Sequence, residues 1–130
     1  MTRTVAIGQA SDSMKYVYDT VLKAQTESMN MIKPGVRCND VDAVARRIIA
    51  DAGYGDCFGH GLGHSVGLFI HENPRFSPKC EDILKPGMVI TVEPGIYIPG
   101  QFGVRIEDLV VVTENGYRNL TGSDKKLIEI

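Results

Sequence analysis

The chain has 130 residues, 43% hydrophobic and 23% charged, which is the balance of a single ordinary globular domain and not of a disordered or membrane-spanning protein. A formal net charge of -2, with Lys and Arg scattered along the chain, leaves no basic face for nucleic acid. Cys38, Cys57 and Cys80 are odd in number and lack C-x-x-C spacing, so they read as reduced thiols and not as a disulfide framework or a thiolate zinc site.

Met1 to Ala6 has one basic residue and an apolar run too short for a signal-peptide core or a membrane span, so a cytoplasmic protein with no membrane partner is expected. Thr2 to Ile7 is a short β-prone stretch, and Ser11 is a candidate N-cap for the helix that follows. Met14, Val17, Tyr18, Val21, Leu22, Gln25 and Met29 recur at spacings of three and four, which describes one face of an amphipathic helix. Pro34-Gly35 requires that helix to stop by Lys33.

Asn39 is the expected cap of a second helix, with Val41, Val44, Ala45, Ile48 and Ile49 on its apolar face, Arg46, Arg47 and Asp51 off it, and Gly53 closing it. Beyond Gly53 the pattern changes to short β-rich runs at Leu68-Phe69-Ile70, Met88 to Val92 and Val104 to Thr113, punctuated by Pro-Gly and Asn-Gly turns. Helices followed by strands, without βαβ alternation, predict an α+β fold in which helices cover one face of a mainly antiparallel sheet.

The three histidines, His60, His64 and His71, fall within twelve residues. Gly61 and Gly63 disfavour a helix there by about 1 kcal/mol each, and no H-E-x-x-H glutamate is present, so this is not a helical zinc-protease motif. A bent or extended glycine-rich segment lets the backbone approach a ligand, with His60 and His64 pointing to one side and His71 reaching in after a bend. Glu93 stands where an apolar run breaks at Pro94-Gly95. Period-two alternation puts Arg105 and Glu107 together on one strand face. One imidazole with carboxylates suits manganese, cobalt or zinc.

Three blocks in order and spacing carry a resemblance: His60-Gly-Leu-Gly-His64-Ser-Val-Gly-Leu-Phe-Ile-His71-Glu-Asn-Pro74, Leu84-Lys-Pro-Gly-Met-Val-Ile-Thr-Val-Glu93-Pro-Gly, and Val104-Arg-Ile-Glu107-Asp-Leu-Val-Val-Val-Thr-Glu-Asn-Gly116. Together they resemble the Xaa-Pro dipeptidases (prolidases) and aminopeptidases P, two-metal peptidases of the pita-bread fold. Methionine aminopeptidase looks less similar, and creatinase-like relatives without metal fit the two glutamates poorly.

The resemblance implies that residues 1–130 form the C-terminal part of a pita-bread catalytic domain. It implies His64, Glu93 and Glu107 as metal ligands. His60 and His71 would hold substrate and intermediate, Glu93 would also carry the proton to the leaving nitrogen, and Arg105 would orient the ligands. Two divalent ions, manganese foremost, would serve hydrolysis of peptides with proline at the second position. The family's two further aspartate ligands lie upstream of these blocks, and none of Asp12, Asp19, Asp40 or Asp42 stands in their context. Weak binding of at most one ion and little activity from this chain alone are expected. The alternative is a non-catalytic interaction module that keeps the fold. The exposed half-core and the strand edge at Thr2 to Ile7 imply a closed homo-oligomer.

Overall fold

A computed structural model describes residues 1–130. Strand β1 (Val5–Ala6) leads into helix α1 (Asp12–Asn30) and then helix α2 (Cys38–Asp51). Ser11 caps α1 as expected, its hydroxyl accepting from the Met14 amide at 3.2 Å. The helix buries Val17, Tyr18, Val21, Ala24, Gln25 and Met29, which is the predicted face, and the chain turns at Gly35 with φ +88°. No helix is long and apolar enough to cross a membrane.

The start of α2 differs from expectation. Arg37 occupies the cap position without a side-chain bond, and Asn39 lies one residue inside the helix. The reason is that the first amides of α2 donate to distant carbonyls, Cys38 to Asp82 and Asn39 to Cys80, both at 2.9 Å, so no side-chain cap is required. At the other end Gly53, with φ +89°, closes the helix through amide bonds from Gly53 to the Ala50 carbonyl and from Tyr54 to the Ile49 carbonyl.

Eight further short strands follow: β2 (Gly63–Ser65), β3 (Glu72–Phe76), β4 (Val89–Val92), β5 (Gly95–Ile98), β6 (Phe102–Arg105), β7 (Asp108–Thr113), β8 (Gly116–Asn119) and β9 (Ile128–Glu129). The main sheet is antiparallel in the order β3-β2-β4-β7-β8, with β5 and β6 as a separate hairpin. Val17, Val21, Val41, Ala45 and Ile49 of the helices share one core with Ile90, Val92, Val110 and Val112 of the strands and with Ile106 between β6 and β7. The fold is therefore α+β, with helices on a mainly antiparallel sheet, as the residue patterns predicted.

Two strand expectations are corrected. Leu68, Phe69 and Ile70 form no strand but an exposed loop between β2 and β3, with exposures of 100%, 75% and 74%. Their β-prone character finds no pairing partner; instead the Phe69 amide donates to the Glu72 carboxylate at 2.9 Å. The run from Val104 to Thr113 is also not one strand, because β6 stops at Arg105 and β7 starts at Asp108. Between them the Glu107 amide donates to the Thr2 carbonyl at 3.0 Å, yet buried and half-buried residues still alternate through the break. The expected open edge is partly covered, since β1 pairs in parallel with β9. All three cysteines are free, and burial pushes the Cys38 thiol up to about 12, which leaves it unreactive.

Candidate active site

The topology gathers the histidines at one end of the sheet. His60 precedes β2, His64 lies in its middle, and the chain returns through the exposed loop to place His71 just before β3. A β-bulge between His64 and Ser65 supplies the bend that the odd spacing of His71 requires. The His64 and His71 rings meet edge to face with centroids 4.4 Å apart. Together with Glu93, Arg75 and Arg105 the three histidines line a cavity of about 260 Å³ that has no apolar side chain in its wall.

His64 and Glu93 form the closest pair. The Nδ1 of His64 lies 3.0 Å from the Ser65 carbonyl, which can only accept, so Nδ1 carries the hydrogen and Nε2 the lone pair in the neutral ring. That Nε2 faces Glu93 Oε1 at 3.1 Å. Two acceptors at this distance repel each other unless a positive centre, a proton or a cation, lies between them. Thr91 holds the arrangement by accepting from the His64 amide at 3.0 Å and donating its hydroxyl to Glu93 Oε1 at 2.9 Å. In the sequence Thr91 is one residue of the strand-forming run before Glu93, with nothing local to set it apart.

Gly61 and Gly63 line the cavity, and they also let the backbone pack closely on neighbouring strands. A Cβ on Gly63 would stand 1.9 Å from the Thr91 carbonyl oxygen, and one on Gly61 would stand 2.8 Å from the Phe76 carbonyl oxygen. Their backbones press against the neighbouring strands, and that contact brings β2 and β4 close enough for His64 to meet Glu93.

His60 is fixed from two sides. Its Nδ1–H donates to the Gly61 carbonyl at 2.8 Å, and its Nε2 accepts from the Tyr97 hydroxyl at 2.8 Å. Tyr97, on the exposed side of β5, was not legible as a site residue because the contact spans 37 positions. Beneath this loop Asp42, only 1% exposed, accepts two bonds from Arg46 at 2.9 Å each and one from the Leu62 amide at 3.0 Å. Arg46 in turn donates to the carbonyls of Phe58 and His60 and lies over the Phe58 ring at 4.5 Å. Arg46, off the apolar face as expected, is thus a clamp on the histidine loop.

Glu107 stands apart from this cavity wall. Its Oε2 accepts from the Thr2 hydroxyl at 2.5 Å and lies 3.3 Å from the Met1 amino group. The expected direct pairing of Arg105 with Glu107 runs through Thr2, whose hydroxyl receives Arg105 Nε at 3.3 Å. No three His, Cys, Asp or Glu side chains gather around one point as a ligand cluster. Next to Glu107, Asp108 is fully buried and accepts from Arg3 at 2.7 Å, Lys125 at 2.5 Å and Asn119 at 2.8 Å. Burial pushes its carboxyl up, but the bonds from Lys125, Arg3 and Asn119 outweigh this and hold it below the usual carboxylate range.

Comparison with known proteins identifies the family. Residues 1–114 match Metallopeptidase family M24. The chain is 50% identical over 128 residues to the Xaa-Pro dipeptidase of Pyrococcus furiosus, covering 98% of this chain and 37% of that protein. It superposes on the Xaa-Pro dipeptidase from Bacillus anthracis with a TM-score of 0.96 at 48% identity, covering 98% of this chain and 36% of that one. The X-Pro aminopeptidase from Thermotoga maritima gives a TM-score of 0.95 at 44% identity, with 98% and 36% covered. The chain therefore spans little more than a third of the length of these relatives, and its fold is the corresponding portion of their pita-bread architecture. On its sequence match and its fold, the chain belongs to metallopeptidase family M24.

Proposed function

We propose that this chain contributes the histidine and glutamate portion of a divalent-metal site in a peptidase that hydrolyses the bond before proline. The observation that carries the proposal is the pair His64 Nε2 and Glu93 Oε1, two acceptors 3.1 Å apart, which calls for a positive centre between them. An oxygen and imidazole donor set without thiolate fits manganese, cobalt or zinc, manganese being the first choice. Glu107, whose carboxylate accepts from Thr2 beside this cavity, would be the third donor. The remaining ligands of a two-ion site, two aspartates, come from polypeptide outside these residues.

When bound, the ions supply Lewis-acid polarisation of the scissile carbonyl. His60, held by Tyr97 and Gly61, and His71, edge-on to His64, orient the peptide. Arg105 fixes Thr2 and through it Glu107, and Glu93 carries a proton to the leaving proline nitrogen. The substrate class is a small peptide with proline at the second position, and the setting is cytoplasmic. Exposed Leu68, Phe69 and Ile70 favour self-association of this chain into a closed homo-oligomer.

Calorimetric titration with manganese chloride at neutral pH tests the proposal. At most one weak site per chain, lost in His64→Ala, is expected, together with no detectable hydrolysis of Xaa-Pro dipeptides by this chain alone. Binding that survives His64→Ala, or two tight sites, would overturn the ligand assignment.

A further inference from the structure

Gln25 sits in the apolar stripe of α1 and is 0% exposed, so its primary amide has to be matched by partners inside the protein. It is matched completely. Its Nε2 donates to the carbonyls of Val92 and Ile106, each at 3.2 Å, and its Oε1 accepts from Lys125 Nζ at 2.9 Å. Those two carbonyls belong to the residues directly preceding Glu93 and Glu107.

The contact continues beyond Gln25. Lys125 reaches Asp108 at 2.5 Å, Asp108 accepts from Arg3 at 2.7 Å, and Arg3 donates to the Glu107 carbonyl at 2.7 Å. The peptide units on both sides of Glu107 are thus held, Ile106 by Gln25 and Glu107 by Arg3. A methionine or leucine would fill the same place in the stripe but would leave both carbonyls without this donor.

We infer that Gln25 is a positioning residue: one planar amide, bonded to both strand ends, sets the spacing between the backbone segments that present Glu93 and Glu107. Gln25 touches neither carboxylate and takes no part in the chemistry. The inference rests on the proposed reading of the two glutamates as metal ligands, and its test separates the two.

Gln25→Met is compared with Val21→Ala, a core-weakening control one turn earlier on the same helix, and with the unaltered chain. Amide hydrogen exchange is followed by NMR in metal-free protein, and each protein is then titrated with manganese chloride. Exchange at Glu93 and Glu107, measured relative to the core amide of Ile49, should accelerate about tenfold more in Gln25→Met than in Val21→Ala, and manganese affinity should fall about tenfold further, the smaller end of what lost support of ligands costs. Should Gln25→Met not fold, Gln25→Glu keeps the shape and the Lys125 contact without the N–H donors, and the same pattern is expected. Equal relative exchange at Glu93 and Glu107 in the glutamine variant and the control would overturn the inference. If the unaltered chain binds no manganese, the ligand reading fails, while the exchange comparison still decides whether Gln25 positions these segments.

Discussion

Replacing Asp42 by alanine removes three accepted hydrogen bonds at once, two from Arg46 and one from the Leu62 amide. Breaking a buried ion pair costs about 3–5 kcal/mol, but the Arg46 side chain is 33% exposed and regains some water, so about 2 kcal/mol is the appropriate share. The orphaned Leu62 amide, in a residue that is 0% exposed, adds about 1 kcal/mol. The sum is about 3 kcal/mol. With about 2.1 cal/mol/K of unfolding entropy per residue over 130 residues, that lowers Tm by about 11 °C. Urea unfolding of Asp42→Ala, Arg46→Met and the double variant measures both the loss and the coupling, expected to exceed about 1 kcal/mol. A loss below about 1 kcal/mol in Asp42→Ala, or strict additivity in the double variant, would refute the clamp on the histidine loop.

Two other outcomes are expected. Asp108 titrates below its ordinary value of 3.8 in the folded state, so its contribution to stability is fully present above that pH and is lost as the pH falls through the lower folded value. Stability measured between neutral pH and strong acid should therefore decline more steeply below 3.8 in the unaltered chain than in Asp108→Asn, and parallel curves would contradict the assignment. Leu68→Ser combined with Phe69→Ser should leave unfolding free energy within about 0.5 kcal/mol, because both side chains are exposed, while shifting sedimentation toward the monomer. An unchanged oligomer would remove the loop from the proposed contact.

What could be read from the residues, and what could not, divides by range. The face of α1, its Ser11 cap and the closure of α2 at Gly53 depend on neighbours within a few positions, and periodicity and capping chemistry expose such features directly. Asn39 misled because carbonyls some forty positions away, at Cys80 and Asp82, replaced the side-chain cap. Leu68 to Ile70 misled because propensity records what a segment tolerates and not whether a partner strand is present. His60, His64 and His71 do share one cavity, as their clustering suggested, and Glu93 and Arg105 line it with them, whereas Glu107 is turned to Met1 and Thr2. The apolar face of α1 included Gln25, but its partners, like those of Tyr97 and Thr91, carried no local mark, since each contact forms only when distant segments are brought together.

The pressing of Gly63 against Thr91 separates what the pocket is made of from how large it is. A single added methyl at position 63 would have to occupy space already taken by the backbone of β4, and since backbone cannot swing aside as a flexible side chain does, the two strands would be wedged apart. Every imidazole, carboxylate and guanidinium of the cavity would still be present in such a chain, and an inventory of functional groups would score it as intact. The gap between His64 and Glu93, on which any shared ion depends, is thus gauged by a residue that has no side chain to contribute.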